Sequence, residues 1–408
     1  MAPRTGRPRP AGREQTDARP YDVVLLGATG FAGKLTAEYL AGAAPAGCRW
    51  ALAGRNHDKL ARLRDELAAV DGAAGPAPAP DLVMADVTQE RTLRELAAST
   101  RVLATTVGPY VLYGDGLVAA CAAAGTDYLD LTGEPEFVDA TYVRHHATAL
   151  DSGARIVHSA GFDSIPHDLG AYFTVRELPE DVPLQVAGYV RVSGTFSGGT
   201  FHSLVTAASR PRQNLAAARE RRAREPRPDG GRVARAPLGR PHRAPTGEGW
   251  ALPLPTIDPQ IVARSARADD RYGPDFTYGH YMVVPHLHQA IAGVAGFGAI
   301  VAAAQVPPAR RALLSRVPAG DGPSPARRAR SWFTVTFTGT GGGQHVRTRV
   351  SGGDPGYDET AKMLGESALC LAFDDLPASA GQVTTATAMG GALIDRLQKA
   401  GVRFEVLG

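Results

Sequence analysis

A glycine-rich loop between a strand pattern and a helix pattern limits the fold of this chain more than any other feature. The apolar stretch YDVVLL is followed at once by GATGFAG, which begins at Gly27, and then by the helical pattern KLTAEYLAG. Gly27 permits a tight turn, Gly30 lets the backbone approach an anion, and Gly33 lets the helix pack closely on the strand. Because free N–H groups at a helix start attract phosphate, the loop predicts a dinucleotide site.

The spacing of this loop separates it from the loop of ATP-hydrolysing proteins. It is G-x-x-G-x-x-G, a variant of the dinucleotide pattern G-x-G-x-x-G. Gly27 and Gly33 are one residue too far apart for a Walker loop, and Lys34 is followed by Leu35 rather than by Ser or Thr. The sequence therefore disfavours ATP hydrolysis.

Apolar runs of strand length alternate with helical patterns through the first 160 residues. In the second helical pattern Leu60, Leu63, Leu67 and Val70 recur at three- and four-residue spacing and share one face. Such alternation requires parallel strands with helical crossovers, which predicts a doubly wound α/β sheet. The strand runs are residues 21–28, 50–53, 82–85, 101–107, 127–131 and 155–158.

The pattern changes after residue 160, where longer alternating strands indicate a second, α+β domain. Residues 185–193, 331–338 and 345–350 alternate, and the last two runs flank a glycine-rich turn. The predicted organisation is a disordered basic tail (1–20), a Rossmann-type domain (21–160), an α+β substrate domain with a solvent-exposed Arg-rich excursion (161–355, excursion 210–243), and C-terminal helices (356–408).

The charge and cysteine content exclude several classes of protein. The 408 residues carry a net charge of +3, and the positive charge is concentrated in the tail and in the Arg-rich excursion rather than on a folded surface, which argues against nucleic-acid binding. Three distant cysteines form no disulfide framework or thiolate metal cluster, and the first 20 residues lack the apolar region of a signal peptide. We expect a cytoplasmic protein with at most peripheral membrane contact.

The end of the second predicted strand discriminates between the two nicotinamide dinucleotides. Dinucleotide enzymes place an acid here for the ribose hydroxyl of NAD, or an Arg for the additional phosphate of NADP. The strand WALAGR ends in Arg55, no acid follows before Asp58, and Lys59 adds a second positive charge. A guanidinium pairs with phosphate whereas a carboxylate repels it, so the sequence favours NADP(H). The alternative is that Arg55 is only a solvated strand end.

Other cofactor contacts are expected at the carboxyl ends of the strands, where ligands of such sheets bind. Asp86 and Val87 follow the third strand and should border the adenine, and residues 107–109 follow the fourth and should border the nicotinamide. The expected cofactor-binding residues are Gly27, Thr29, Gly30, Phe31, Gly33, Arg55, Lys59, Asp86, Val87, Val107, Gly108 and Pro109.

Three common catalytic motifs are missing from the sequence. None of the tyrosines has a Lys four residues later, and there is no Gly-x-Ser-x-Gly elbow and no His-Glu-x-x-His. His286 and His288 form a lone pair that is more consistent with a structural role, so we expect no metal. The candidate catalytic residues are Tyr110, Asp163 and His167, which follow the fourth and sixth strands. Helix capping by Asp163 or Ser164 and packing of Tyr110 under the nicotinamide are the alternatives.

Residues 276–309 contain no charged side chain, and 290–304 is wholly uncharged. A bilayer span needs about 20 apolar residues, so a transmembrane helix is disfavoured. We expect a buried helix, and the alternatives are an apolar wall for a hydrophobic substrate or a surface that touches lipid.

Several segments resemble one protein family. GATGFAGKL, LAGRNHDKL, TTVGPYVLYGDGLVAACAAAGTDYLDLTGE and GFDSIPHDLG are similar to saccharopine dehydrogenase-like oxidoreductases, and within them to the trans-acting enoyl reductases that serve polyketide synthases. The later segments SGTFSGGT, VSGGDPGYDETAKMLGESALCLA and TATAMGGALIDRL extend the resemblance over most of the chain.

The resemblance implies an NADP-type Rossmann domain, a second α+β domain, and C-terminal helices (356–408) that pack back on the Rossmann domain. It also implies NADPH-dependent saturation of a carbon–carbon double bond. The substrate would be a small-molecule or carrier-bound acyl chain, with a polyketide synthase or acyl carrier protein as partner, and a homodimer is a further expectation. An amino-acid substrate would need charged anchors, for which Arg191 and Arg264 are the scattered candidates. The alternatives are saccharopine-type imine or carbonyl reduction and a non-catalytic, lipid-associated dinucleotide-binding protein.

Overall fold

The computed structural model describes residues 19–68, 78–193, 198–247, 249–316 and 322–407. Most of the predicted tail lies outside these residues. Its described end is attached to the folded body, because the Arg19 guanidinium donates to the carbonyl oxygen of Thr100 at 2.5 Å and also bonds Ala124 and Thr126.

The strands and helices below are numbered in chain order. The strands are β1 (Tyr21–Leu26), β2 (Trp50–Gly54), β3 (Asp81–Met84), β4 (Thr100–Thr105), β5 (Asp127–Asp130), β6 (Arg155–Val157), β7 (Leu184–Ser193), β8 (Val233–Arg235), β9 (His242–Arg243), β10 (Trp250–Pro253), β11 (Asp275–Val284), β12 (Trp332–Gly341), β13 (Gln344–Gly352), β14 (Gly381–Val383) and β15 (Arg403–Val406). The α-helices are α1 (Phe31–Ala43), α2 (His57–Leu67), α3 (Glu90–Ser99), α4 (Tyr110–Tyr113), α5 (Asp115–Ala124), α6 (Pro135–Ser152), α7 (Ile165–Arg176), α8 (Gly198–Ser209), α9 (Pro211–Arg224), α10 (Asp258–Ala268), α11 (Leu287–Ala304), α12 (Pro307–Arg316), α13 (Pro325–Arg328), α14 (Asp358–Phe373), α15 (Thr385–Ala388) and α16 (Gly390–Lys399).

The first sheet has the order β14-β6-β5-β4-β1-β2-β3, and its strands are parallel. Successive residues of β1 point to opposite faces, so Val23 and Leu25 join the core beneath α1 and α2, whereas Val24 and Leu26 join the core beneath α3 and α5. Both faces are covered by helices, as a parallel sheet requires. The predicted doubly wound α/β sheet is confirmed.

The second sheet is mixed and has the order β15-β13-β12-β7-β11-β10-β9, with β8 paired to β11. Phe333, Val335 and Phe337 alternate along β12 and are fully buried on one face. Helix α7 lies against this face so closely that a Cβ atom on Gly170 would be 2.3 Å from the Phe337 ring. This sheet and its helices confirm the second α+β domain.

The C-terminal segment contributes to both sheets. Helix α14 packs on α1, β14 extends the first sheet beside β6, and β15 pairs with β13 at the edge of the second sheet. One hydrophobic cluster consequently includes Leu25 of the first sheet and Phe337 of the second.

The Arg-rich segment, which we expected to be a solvent-exposed excursion, contains regular structure. Its first part forms α9, which packs on α6 through side chains of opposite charge. Arg221 is buried and forms an ion pair with Asp139 at 2.6 Å, and Arg210 forms one with Glu136 at 2.7 Å. This Arg- and Ala-rich segment can pack as a helix on α6 because carboxylates of α6 neutralise Arg210 and Arg221.

The expectation of a buried helix in the uncharged stretch is wrong. Helix α11 is long and apolar enough to cross a membrane by length and composition, yet only 11% of it is buried inside the protein. Ala290 and Ala304, close to its two ends, are its buried residues.

Candidate dinucleotide and substrate site

The glycine loop forms the turn that the sequence predicts between β1 and α1. Gly27 has a φ of 87°, in the region that favours glycine, and a Cβ atom on Gly33 would lie 2.1 Å from its carbonyl oxygen. Thr29 and Gly30 are exposed, and among the residues that the structure describes no side chain caps α1. The first amides of α1 are thus left for an anion, which fits the pyrophosphate of a dinucleotide.

The end of β4 lies directly beside this loop. The Thr106 hydroxyl donates to the carbonyl oxygen of Gly27 at 3.1 Å, and Val107 lies so close that a Cβ atom on Gly27 would contact it at 2.7 Å. Gly108 is exposed and Pro109 is half-buried. The structure therefore brings residues 107–109 to the same end of the sheet as the glycine loop.

Arg55 and Lys59 are exposed at the end of β2 and the start of α2. The Asn56 side chain caps α2 by accepting a hydrogen bond from the Lys59 amide at 2.9 Å. Asp86, at the end of β3, accepts hydrogen bonds from the amide and hydroxyl of Thr88, which lower the pKa of its carboxyl, and Arg55 lowers it further. Arg55 and Asp86 are electrostatic neighbours, and both positive side chains remain accessible to a phosphate.

Phe31, the first residue of α1, is covered by the C-terminal part of the chain. Its ring packs edge-on against Tyr357 with the ring centres 4.8 Å apart, and the Arg328 guanidinium lies 5.6 Å from the ring centre. The Tyr357 hydroxyl also accepts a hydrogen bond from the amide of Gly198, the first residue of α8. Segments distant in sequence thus converge on the mouth of the predicted cleft.

Tyr110 lies inside the core rather than at the surface of the cleft. Its hydroxyl donates to the carbonyl oxygen of Thr105 at 3.2 Å and accepts from the Leu131 amide at 3.1 Å. Burial raises the pKa of the phenol well above its ordinary value. The only proton of this hydroxyl is already engaged, which favours a positioning role for Tyr110 at the ends of β4 and β5.

Glu134 is a buried carboxylate at this edge that the sequence analysis did not single out. It accepts hydrogen bonds from the amides of Tyr110 and Val111 at the start of α4, and from the Ser203 hydroxyl of α8 at 3.0 Å. Burial raises the pKa of Glu134, and the two amide bonds oppose this effect. Glu134 follows β5 closely in the sequence, so the expectation that ligands bind at the carboxyl ends of the strands could have identified it.

Asp163 and Ser164 lie in the turn between β6 and α7. Asp163 is half-buried, and its Oδ2 atom is 3.4 Å from the position that a Cβ atom on Gly133 would take. Ser164 has a φ of 115° and precedes α7, but its hydroxyl donates to Asp258 at 3.2 Å instead of capping the helix. The turn therefore joins the end of β6 to α10 of the second domain.

His167, Asp258 and His280 form a buried cluster. His167 Nε2 is 3.8 Å from Asp258 Oδ1, and His280 Nε2 is 3.4 Å from Asp258 Oδ2. Burial lowers the pKa of His167 to about 4, and the two imidazoles hold the pKa of Asp258 below its ordinary range although burial alone would raise it. Each residue offers one metal-ligand atom within 4.8 Å of the others, so the cluster has the composition of a metal site. A metal ion would be bound by the Asp258 carboxylate and by one nitrogen of each imidazole. The Ser164 and Thr256 hydroxyls would not be ligands, because they already donate hydrogen bonds to Asp258.

Asp168, one residue further on, has a structural role. It is fully buried and accepts hydrogen bonds from Ser265 of α10, from the Thr385 hydroxyl at 2.7 Å and from the Ala386 amide at 2.8 Å. These bonds tie α7 to α10 and α15, so the turn that carries Asp163 is held by three elements.

Comparison with known proteins agrees with this geometry. Residues 23–157 match the family described as the saccharopine dehydrogenase NADP binding domain. The chain is 39% identical to a putative trans-acting enoyl reductase of Mycobacterium tuberculosis, over 95% of this chain and 97% of that protein. It is 37% identical to a trans-acting enoyl reductase of Mycobacterium bovis and to one of Mycobacterium ulcerans, each over 94% of this chain and 97% of the relative.

A solved structure has the same fold over nearly the whole chain. It is the apo saccharopine dehydrogenase (L-Glu forming) of Saccharomyces cerevisiae, with a TM-score of 0.54 and 11% identity over 95% of this chain and 100% of that one. At this identity the likeness concerns the architecture of the two domains.

Proposed function

The chain belongs to the trans-acting enoyl reductases among the saccharopine dehydrogenase-like oxidoreductases, and on this premise we propose that it uses NADPH to saturate a carbon–carbon double bond of an acyl chain. The observation that carries the proposal is the uncapped start of α1 beside Gly27, together with the exposed Arg55 at the end of β2. An amide-lined turn followed by a guanidinium suits a dinucleotide with an additional phosphate.

The proposed cofactor contacts come from the ends of four strands. The amides of residues 29–33 bind the pyrophosphate, and Arg55 and Lys59 pair with the additional phosphate. Asp86 and Val87 border the adenine, and residues 107–109 border the nicotinamide. Bound NADPH supplies the hydride, so the chain's own task is to orient the two reactants and to deliver one proton.

Asp163 is the residue that we assign to this proton. Saturation of a double bond conjugated to a carbonyl adds a hydride to the β-carbon and a proton to the α-carbon. Tyr110 donates its only proton to a backbone carbonyl, and the low pKa of His167 leaves its imidazole neutral near pH 7. Asp163 is half-buried at the carboxyl end of β6, and it holds the proton or the water that delivers it.

The second domain favours an apolar substrate over an amino acid. Arg264, one of the two expected charged anchors, is 7% exposed, packs over the Tyr142 ring and donates to the Gln382 carbonyl at 3.2 Å. Arg191 lies over the ring of Trp332. Because Arg264 is engaged inside the protein, we propose a carrier-bound acyl chain of the polyketide type as substrate and its carrier protein or synthase as partner.

The reaction is tested with the purified full chain, NADPH and either an enoyl thioester of pantetheine or an α-keto acid with an amine. We expect loss of the reduced cofactor only with the enoyl thioester, and a product heavier by two hydrogens. Turnover only with the keto acid and amine would replace the proposal by imine reduction, and cofactor binding without turnover on either pair would make the chain non-catalytic.

The role of Asp163 is tested by Asp163→Asn. We expect a fall in kcat of roughly a hundredfold with NADPH affinity unchanged. The matched control is Asp151→Asn on the exposed end of α6, which should retain wild-type kcat. Equal kcat values for the two variants would exclude Asp163 as the proton-delivering residue.

A further inference from the structure

Helix α11 exposes apolar residues around its whole circumference. All nine residues from 291 to 299 (IAGVAGFGA) are exposed, including Ile291 at 64%, Val294 at 57% and Phe297 at 38%. A helix of a water-soluble surface normally has one polar face, and contiguous apolar patches of this kind mark interaction sites. The central turns of α11 therefore need contact with an apolar surface or medium, which the described part of the chain does not provide.

The connections of α11 exclude a crossing of the membrane. Its 18 residues span about 27 Å, somewhat less than a typical hydrocarbon core of ~30 Å. The preceding strand β11 and the following strand β12 both pair with β7 in one sheet. The chain consequently enters and leaves on the same side, so α11 lies on a surface rather than through it.

The charge around α11 indicates the kind of surface. Residues 276–316 contain three Arg and no acid. Arg310 and Arg311 are in α12, which follows α11 directly and contacts it. Positive residues beside an apolar helix complement anionic headgroups above a hydrocarbon layer.

We propose that α11 and the positive residues of α12 dock the protein on the surface of an anionic lipid bilayer. The apolar turns of α11 enter the acyl boundary, and Arg310 and Arg311 lie at the headgroups. Helix α11 packs on α8, whose Ser203 bonds Glu134 at the mouth of the cleft. When α11 is bound to lipid, the cleft beside Glu134 therefore lies close to the bilayer. This inference does not depend on the reaction, because it rests on exposure and charge alone.

The test is flotation of the full chain with vesicles of phosphatidylcholine alone and of phosphatidylcholine with phosphatidylglycerol. We expect binding to the anionic vesicles that weakens with salt. The triple variant Ile291→Ser, Val294→Ser and Phe297→Ser should bind at least roughly tenfold more weakly, since it removes three apolar side chains that enter the bilayer. All three side chains are exposed, so NADPH affinity and thermal unfolding should stay at wild-type values.

The matched control is Leu238→Ser, which removes a large side chain that is 72% exposed and lies outside α11 and α12. It should bind vesicles like the wild type. The double variant Arg310→Ala and Arg311→Ala should lose roughly tenfold in affinity for anionic vesicles and almost nothing for neutral ones.

Two results would overturn the proposal. One is unchanged flotation of the triple variant. The other is a wild-type protein that does not bind the vesicles and elutes as a dimer, whereas the triple variant elutes as a monomer. In that case α11 would be covered by a second copy of the chain. Turnover of an enoyl thioester in solution is measured separately, so failure of lipid binding and failure of the proposed reaction are distinguishable.

Discussion

Under the proposed function, Arg55 selects NADPH over NADH through its exposed guanidinium at the end of β2. Its electrostatic neighbour Asp86 accepts two hydrogen bonds from Thr88, whereas the Arg55 side chain is exposed. A charge-assisted hydrogen bond between a guanidinium and a phosphate contributes more to the binding free energy than a neutral hydrogen bond. Only NADPH carries the additional phosphate and can form it.

For Arg55→Gln we expect NADPH affinity to fall by roughly tenfold to a hundredfold, while NADH affinity changes little. Titration of both cofactors by their fluorescence measures this. Arg62→Gln, on the exposed face of α2, is the matched control and should leave both affinities unchanged. Equal losses for NADPH and NADH in Arg55→Gln would contradict phosphate recognition by this residue.

His167 couples stability to pH at the contact between α7 and α10. Its pKa is about 4 in the folded protein because burial disfavours the cation, and it returns to about 6.5 in the unfolded chain. As pH falls, the unfolded chain therefore takes up a proton first. The contribution of the neutral His167 to the free energy of unfolding is complete above about pH 6.5, and it is lost progressively as the pH falls towards 4.

We expect wild-type stability to fall by on the order of 1 to 3 kcal/mol from this residue across that window. The His167→Asn variant should be less stable than the wild type at pH 8, and its stability should decrease less steeply as the pH falls. Thermal unfolding from pH 8 down to pH 4.5 measures both. His57→Asn, at the exposed start of α2, should keep the wild-type slope. A wild-type slope in His167→Asn would show that the loss of stability comes from other groups, of which half-buried His146, with its pKa lowered to about 4, is one.

At the scale of elements, the β1–α1 unit depends on one close contact. Helix α1 can begin directly after the turn only because Gly33 passes the Gly27 carbonyl without a Cβ atom. No side chain caps the first amides of α1, so the close packing of the helix and its proposed anion site depend on the same turn.

Gly33→Ala should lower the free energy of unfolding by about 2 kcal/mol and weaken NADPH binding, because the added Cβ forces α1 away from β1. Gly30→Ala is the control. Its Cβ would meet only the Gly27 carbonyl at an ordinary 3.5 Å, so stability should hold while cofactor affinity falls. Thermal unfolding and cofactor titration separate the two effects, and wild-type stability in Gly33→Ala would contradict the packing argument.

Helix α11 illustrates how far local pattern determines an element. An uncharged run of this length predicts a helix, and the helix is present. Its burial was not predictable, because burial depends on which neighbours the tertiary fold places around it. The Arg-rich segment makes the same point, because its composition did not indicate α9. The packing of α9 on α6 depends on Asp139 and Glu136, which neutralise Arg221 and Arg210.

On the scale of the whole molecule, the C-terminal segment joins the two domains. Phe404 of β15 is 6% exposed and lies 5.9 Å from the Phe173 ring of α7, within the hydrophobic cluster that includes both sheets. A shared core of this kind predicts that the domains unfold together.

We expect Phe404→Ala to lower the free energy of unfolding by about 3 kcal/mol while unfolding remains a single transition. Val406→Ala, on the same strand but 49% exposed, should cost less than about 1 kcal/mol. Urea unfolding followed by circular dichroism and by tryptophan fluorescence measures both, because Trp50 and Trp332 lie in different sheets. Two separated transitions would show that the domains unfold independently.

The sequence by itself determined the local features. Gly27, Gly30 and Gly33 have a backbone requirement that does not depend on distant residues, and the alternation of strands and helices determines a parallel sheet. Arg55 was placed at its strand end by counting from the loop, and the structure has it there.

Only the tertiary structure decided which groups meet across the chain. Asp258 and His280 are 91 and 113 residues beyond His167 in the sequence, yet they surround it, and Ser203 reaches Glu134 from another domain. These contacts have no periodic signature, since they arise when α7, α8 and α10 pack on two separate sheets. The same packing buries Tyr110 and exposes α11, because burial is a property of the assembled neighbours and not of the residues alone.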